Sequence, residues 1–255
     1  MNNTLIVFNF NCTLTTNNIF DFLNGKLEIK SDTIDINELK KKLNEDTIII
    51  DSFLDDDRKF IIENFFGGNE RLDKLEIILK KLKKYYYEII IASNTKKNII
   101  VLLLKFSNLF SLFDHIYGRE DIKAENLGIN GLLSDKINSK QYKYLYYFDH
   151  KQDEHKFLLE KYKIVGPKLE NNFISANLNN VEYHFFETLS KSKDCKGLSI
   201  LNIDYLSDYI IENSIITIPI TKNKCKKYNN THTSSISHNK YLKYKQKYLD
   251  LKKLL

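Results

Sequence analysis

Apolar positions along this chain fall into two rhythms. Short apolar runs recur at residues 5–8, 87–92, 113–117 and 143–148, each bounded by polar or turn-forming residues. Runs of that length, rich in Ile, Val, Phe and Tyr, suit strands buried on both faces of a parallel sheet. Between them the spacing changes to three and four: Leu72, Leu75, Ile78, Leu79 and Leu82 mark an amphipathic helix over residues 70–84. Further helices are predicted at 96–106, at 123–136 (weakened by Gly128 and Gly131), at 152–162 and at 202–212. A fifth strand falls at either 181–186 or 173–176, and periodicity does not choose between them. Strands alternating with helix-length crossovers predict an α/β fold with a mainly parallel sheet flanked by helices.

The stretch between the first strand and the helix at 70–84 departs from that alternation. Asn24-Gly25, flanked by apolar alternation, predicts a β-hairpin, because both central residues of its turn need φ > 0. Residues 31–69 then read as a small helical unit, so the departure as a whole is an insertion at about 16–69. Asp55, Asp56 and Asp57 precede an apolar helix, where acids favour the N-terminus. Adjacent residues at a helix start point in different directions, which favours a solvated cap over a metal cluster.

Composition narrows the class. The chain has 255 residues, 42% hydrophobic and 13% aromatic, enough for one sizeable core and an appendage. The net charge of +6 is uneven: residues 222–255 carry ten lysines and one acid, Asp250, leaving residues 1–221 mildly acidic. Residues 222–238 are polar and read as a linker. Residues 239–255 place Tyr241, Tyr244, Tyr248, Leu251 and Leu255 at helical spacing, predicting a basic amphipathic helix. Cys12, Cys195 and Cys225 show neither metal-ligand spacing nor a disulfide framework. With no signal-peptide pattern and no long apolar span, the expectation is an intracellular, cytoplasmic protein away from membranes.

The chemistry-bearing residues gather where predicted strands end. The first run closes as Phe8-Asn9-Phe10-Asn11-Cys12-Thr13, the second closes at Ser93, and the fourth closes as Phe148-Asp149-His150-Lys151-Gln152-Asp153. In an open α/β sheet these carboxyl ends face the ligand crevice. Asp149 and Asp153 also suit a helix cap and first turn, a reading that stands beside the functional one.

This order resembles the haloacid dehalogenase (HAD) superfamily over roughly residues 5–160. The family's first motif is an apolar strand followed by Asp-x-Asp-x-Thr; here Thr13 fits, and Asn9 and Asn11 replace both aspartates. The resemblance implies an aspartyl nucleophile at position 9 and an acid–base group at position 11. It implies phosphate-binding roles for Ser93 and a helical lysine, for which Lys123 is preferred over Lys136 and Lys140. It implies Mg²⁺ held with help from Asp149 and Asp153. An amide is a poor nucleophile, carries no charge for a cation and does not act as an acid–base group. The resemblance therefore implies a HAD-like fold with a hairpin flap, and a degenerate, non-catalytic member binding a partner or anionic ligand, with at most weak Mg²⁺. A phosphatase with an altered first motif is the alternative. In a third reading the basic tail 222–255, which is similar to short terminal segments of giant DNA virus proteins, acts on a protein partner or on nucleic acid. That viral likeness would put the protein in the cytoplasm of an infected cell.

Overall fold

The first apolar run forms β1 (Thr4–Phe8), buried at all five positions and placed mid-sheet. The computed structural model describes residues 3–45, 47, 49–124, 128–139, 141–150, 152–163, 173–188, 197–198 and 200–215. On one side of β1 lie β2 (Glu88–Ala92) and then β3 (His115–Tyr117); on the other lie β4 (Tyr144–Asp149), β6 (Val181–Glu187) and β5 (Phe173–Leu178). All pairings are parallel except β5 with β6. The chain thus leaves β1 in one direction, returns, and continues from β4 in the other. Such a reversal opens a crevice at the carboxyl ends of the two central strands.

Strand periodicity divides the core. Ile6 and Phe8 of β1 and Tyr144, Tyr146 and Phe148 of β4 enter one apolar layer, while Leu5, Val7, Leu145 and Tyr147 enter the other. The first layer packs against α1 (Ile19–Leu23), α2 (Ile36–Asn44), α3 (Asp55–Phe66), α4 (Asn69–Lys83), α5 (Lys97–Phe106) and α9 (Ile200–Ile215). The second packs against α6 (Arg119–Ala124), α7 (Gly128–Asn138) and α8 (Gln152–Lys161). Across the first face, Phe8, Phe148 and Phe186 stack in register with successive ring centroids 4.8 Å apart. The described residues all fall within one unit, Met1–Ile216.

Four expectations need correction. Asn24-Gly25 is the end of a helix, not a hairpin. Asn18 accepts from the Phe20 and Asp21 amides and starts α1, and the helix closes with Lys26 N–H to Asp21 O at 2.8 Å and Gly25 N–H to Phe22 O at 3.2 Å. That crossed pair is a Schellman cap, which demands the same positive φ at glycine (+72° at Gly25) as a hairpin turn does. The hairpin of this fold lies instead at Asn179-Asn180, with φ of 52° and 69°, joining β5 to β6. Both candidates for the fifth strand are therefore strands. The helix expected at 123–136 is two, α6 and α7, the second starting at Gly128 with φ +61°.

Asp57 is a helix-start group but not a solvated one: it is buried, accepts from the Leu54 amide and pairs with Lys42, both at 3.1 Å. Against the expectation of no disulfide, Cys12 is disulfide-bonded, a pairing that sequence spacing has no means to reveal. The linker at 222–238 and the helix at 239–255 lie outside the described residues. Among the described residues no helix is long and apolar enough to cross a membrane.

Candidate anion-binding cleft

Register decides what meets at the crevice. Phe8 pairs with Phe148 and with Ile91, so Asn9 and Asp149 follow side by side on the central strands, and Ser93 ends the neighbour. The Asn9 N–H donates to Phe148 O at 2.8 Å, carrying the parallel ladder one step past the end of β1. Beyond it, residues 10–14 form one wide turn closed by Thr15 N–H to Phe10 O at 3.1 Å, with Cys12 in the left-handed region at φ 55°. Asn9, Asn11, Ser93, Lys123, Asp149 and His150 line one cleft of about 400 Å³. Asn18, Phe20, Asn94, Arg119 and Ile129 complete its lining.

The Asn9 amide has only one orientation available. Its Oδ1 accepts the Phe10 N–H at 2.6 Å, which leaves Nδ2 to donate to Asp149 Oδ1, also at 2.6 Å. The same Oδ1 accepts the His150 backbone N–H at 2.6 Å and lies 3.0 Å from His150 Nδ1. The other oxygen, Oδ2, accepts the Tyr147 hydroxyl. Tyr147 reaches it because residues two apart on a strand share a face. Asp149, only 1% exposed, thus has both oxygens engaged by protein donors.

Asn11 is equally committed. Its Nδ2 donates to Thr95 Oγ1 at 2.8 Å and its Oδ1 accepts the Ile19 N–H at 3.3 Å, so it ties α1 to the loop after β2. Ser93 Oγ lies 3.3 Å from the Thr95 amide nitrogen, which donates to it. Lys123, in the last turn of α6, lines the cleft, whereas Lys136 pairs with Glu88 at the start of β2, at the opposite end of the strands. Lys140 and the side chain of Asp153 lie outside the described residues. Arg119 donates through Nε to Asn94 O at 2.9 Å, and its guanidinium carbon sits 5.3 Å from the Phe20 ring centroid. Neither Lys123 nor Arg119 has an acidic partner among the described residues.

The loop bearing the two asparagines is held from behind by Arg71. This buried guanidinium donates to four carbonyls: Leu14 O at 2.7 Å, Phe66 O at 2.9 Å, Leu198 O at 3.0 Å and Thr13 O at 3.1 Å. Burial pulls its pKa down to about 10, which still leaves it cationic at neutral pH. Gly197 lies against the same group; a Cβ there would stand 2.5 Å from Thr15 O and 2.8 Å from the Arg71 guanidinium.

Among the described residues the donor set does not fit Mg²⁺. That ion demands near-octahedral oxygen ligation through open carboxylate oxygens. The one acid placed in the cleft has none open, and among the described residues no group of three His, Cys, Asp or Glu is placed to hold a metal. The sequence did not single out Tyr147, Thr95, Arg119 or Arg71. For Tyr147 the signal was its position two before Asp149; for the others only the fold makes the connection.

No protein-family model matches the chain, and no curated protein matches it. Among solved structures it is similar to a phosphoserine phosphatase in its apo form, at 16% identity and a TM-score of 0.33, over 64% of this chain and 84% of that one. A likeness at that level carries no argument about activity.

Proposed function

We propose that this protein is a degenerate HAD-like protein that binds a phosphorylated or similarly anionic ligand in the cleft and does not turn it over. The observation that supports this most is the asparagine pair at the end of the central strand. Positions 9 and 11 are those from which the resemblance would draw a nucleophile and a proton shuttle, and both carry amides already committed to structural hydrogen bonds. Loss of a nucleophile from a cooperative catalytic set lowers turnover by about 10⁴ to 10⁶. What remains is suited to holding an anion: the Lys123 ammonium and the Arg119 guanidinium line the cleft beside the Ser93 hydroxyl, whose long 3.4 Å bond to Thr95 Oγ1 a phosphate oxygen would replace.

The test pairs a binding measurement with an activity measurement. Inorganic phosphate, followed by isothermal titration, is expected to bind the full chain and to bind at least about tenfold more weakly after Lys123→Ala, the loss of one charge-assisted contact. An aryl phosphate with added Mg²⁺ is expected to give no turnover above the buffer rate. Metal-dependent hydrolysis by the unmodified protein, abolished by Asn9→Ala, would overturn the proposal in favour of a phosphatase with an altered first motif.

A further inference from the structure

We infer that the Asn9 amide takes the place of a cation at Asp149, so that the cleft holds its anion without a divalent metal ion. This rests on the anion-binding reading of the same cleft and adds to it how the site is neutralised.

The argument begins with the cost of a buried carboxylate. A group as buried as Asp149 needs compensation from a cation or from several hydrogen bonds. Here the compensation is complete without a metal. The Asn9 amide, the His150 backbone N–H and the His150 ring face Oδ1, and the Tyr147 hydroxyl faces Oδ2. A metal ion would have to displace Asn9 Nδ2 from a 2.6 Å bond or the Tyr147 hydroxyl from its own. Displacing Nδ2 is resisted from the other end of the same amide, since rotating it removes the acceptor of the Phe10 N–H. A buried donor left without a partner is unfavourable.

The consequence for a ligand follows from charge. A bare carboxylate beside a phosphate would repel it, and a bridging cation normally removes that repulsion. In this cleft both oxygens of the carboxylate accept from protein donors, and the positive groups lining it are Lys123 and Arg119. An incoming anion is therefore attracted by side chains alone. Asn9→Asp reverses the arrangement with a change of one atom: two carboxylates then meet where an amide and a carboxylate meet now. Like charges at that separation demand a shared cation or proton.

Mn²⁺, read by electron paramagnetic resonance, is the probe, because its binding is visible without any turnover. The wild-type chain is expected to leave the free-ion signal unchanged, and its phosphate affinity to be the same within about twofold with chelator or with Mg²⁺, a difference of under about 0.5 kcal/mol. Asn9→Asp is expected to bind Mn²⁺ at least about 100-fold more tightly than wild type, a scale on which even outer partners of metal ligands act. The same variant is expected to gain a metal-dependent rise in melting temperature. Specific Mn²⁺ binding by the wild type, lost in Asp149→Asn, would overturn the inference. A folded Asn9→Asp chain, judged by circular dichroism, that acquires no Mn²⁺ affinity would overturn it too. Should Asn9→Asp not fold, the wild-type titration alone decides. A wild type blind to both Mn²⁺ and phosphate would remove the anion-binding reading while leaving the amide's role at Asp149 intact.

Discussion

Replacing Arg71 by Met tests whether the loop under the cleft is held by one cation. The substitution keeps the aliphatic stem and removes the guanidinium, so Thr13 O, Leu14 O, Phe66 O and Leu198 O each lose a bond, Thr13 O keeping only the Leu198 N–H at 2.9 Å. At about 1 kcal/mol net for each bond, the expected loss is about 4 kcal/mol. Relief of the buried charge offsets part of this, so about 3 kcal/mol is the working figure. That is a large share of the roughly 5–15 kcal/mol typical of a domain. Arg71→Lys keeps the charge but not the planar fork that reaches several acceptors at once, and should fall between the two. Urea denaturation followed by circular dichroism reads the loss as a lower midpoint at unchanged slope. The same variant should also bind phosphate more weakly, because the loop carrying Asn9 and Asn11 loses its anchor. A midpoint shift worth less than about 1 kcal/mol would refute the reasoning, since even one bond of this kind accounts for that much.

Two further outcomes follow from buried groups elsewhere. His155 and His184 are both held down to about 4 by burial, His155 having no partner for Nε2 among the described residues. The unfolded chain takes up these protons first as pH falls, so stability is full above about 6.5 and is lost between there and about 4, by up to about 3 kcal/mol for each histidine. His155→Phe, which keeps the stack on Phe185 at 4.5 Å, should flatten that acid limb in urea titrations across pH, and an unchanged limb would count against it. Gly197→Ala should destabilise by more than Gly25→Ala, although both glycines have positive φ (+65° and +72°). A Cβ at 197 meets Thr15 O and the Arg71 guanidinium, whereas one at 25 meets nothing within 4 Å and carries only about 1 kcal/mol of backbone strain. Equal losses in thermal melts would show that crowding at Gly197 is relieved elsewhere.

The centre of the sheet was legible in the sequence because β1 and β4 are buried on both faces, and unbroken apolar runs such as residues 5–8 signal that directly. Asn9, Ser93 and Asp149 were legible for a related reason: each sits directly past or at the close of a run, where a parallel strand must end. The two glycine-containing and asparagine-containing turns were not. Asn24-Gly25 and Asn179-Asn180 both supply residues tolerant of positive φ, and only the partner of the following amide separates a helix cap from a hairpin. Nor was the commitment of Asp149 legible, because it depends on Tyr147 sharing its face and on Asn9 arriving from a strand 140 residues away.

The carbonyl clasp of Arg71 has a consequence for when this protein becomes competent. Its four acceptors are made at very different times: Thr13 and Leu14 first, Phe66 later, Leu198 last. At ribosomal rates of about 5–20 residues per second, the loop waits on the order of ten to forty seconds for its final tether. Until residue 149 is made β1 also lacks β4, its partner on one side, so an apolar strand and its polar tip stay open to whatever the emerging chain meets. A ligand that requires the finished cleft meets it only once β4 has paired with β1, so the loop after β1 takes up its working position long after it is made.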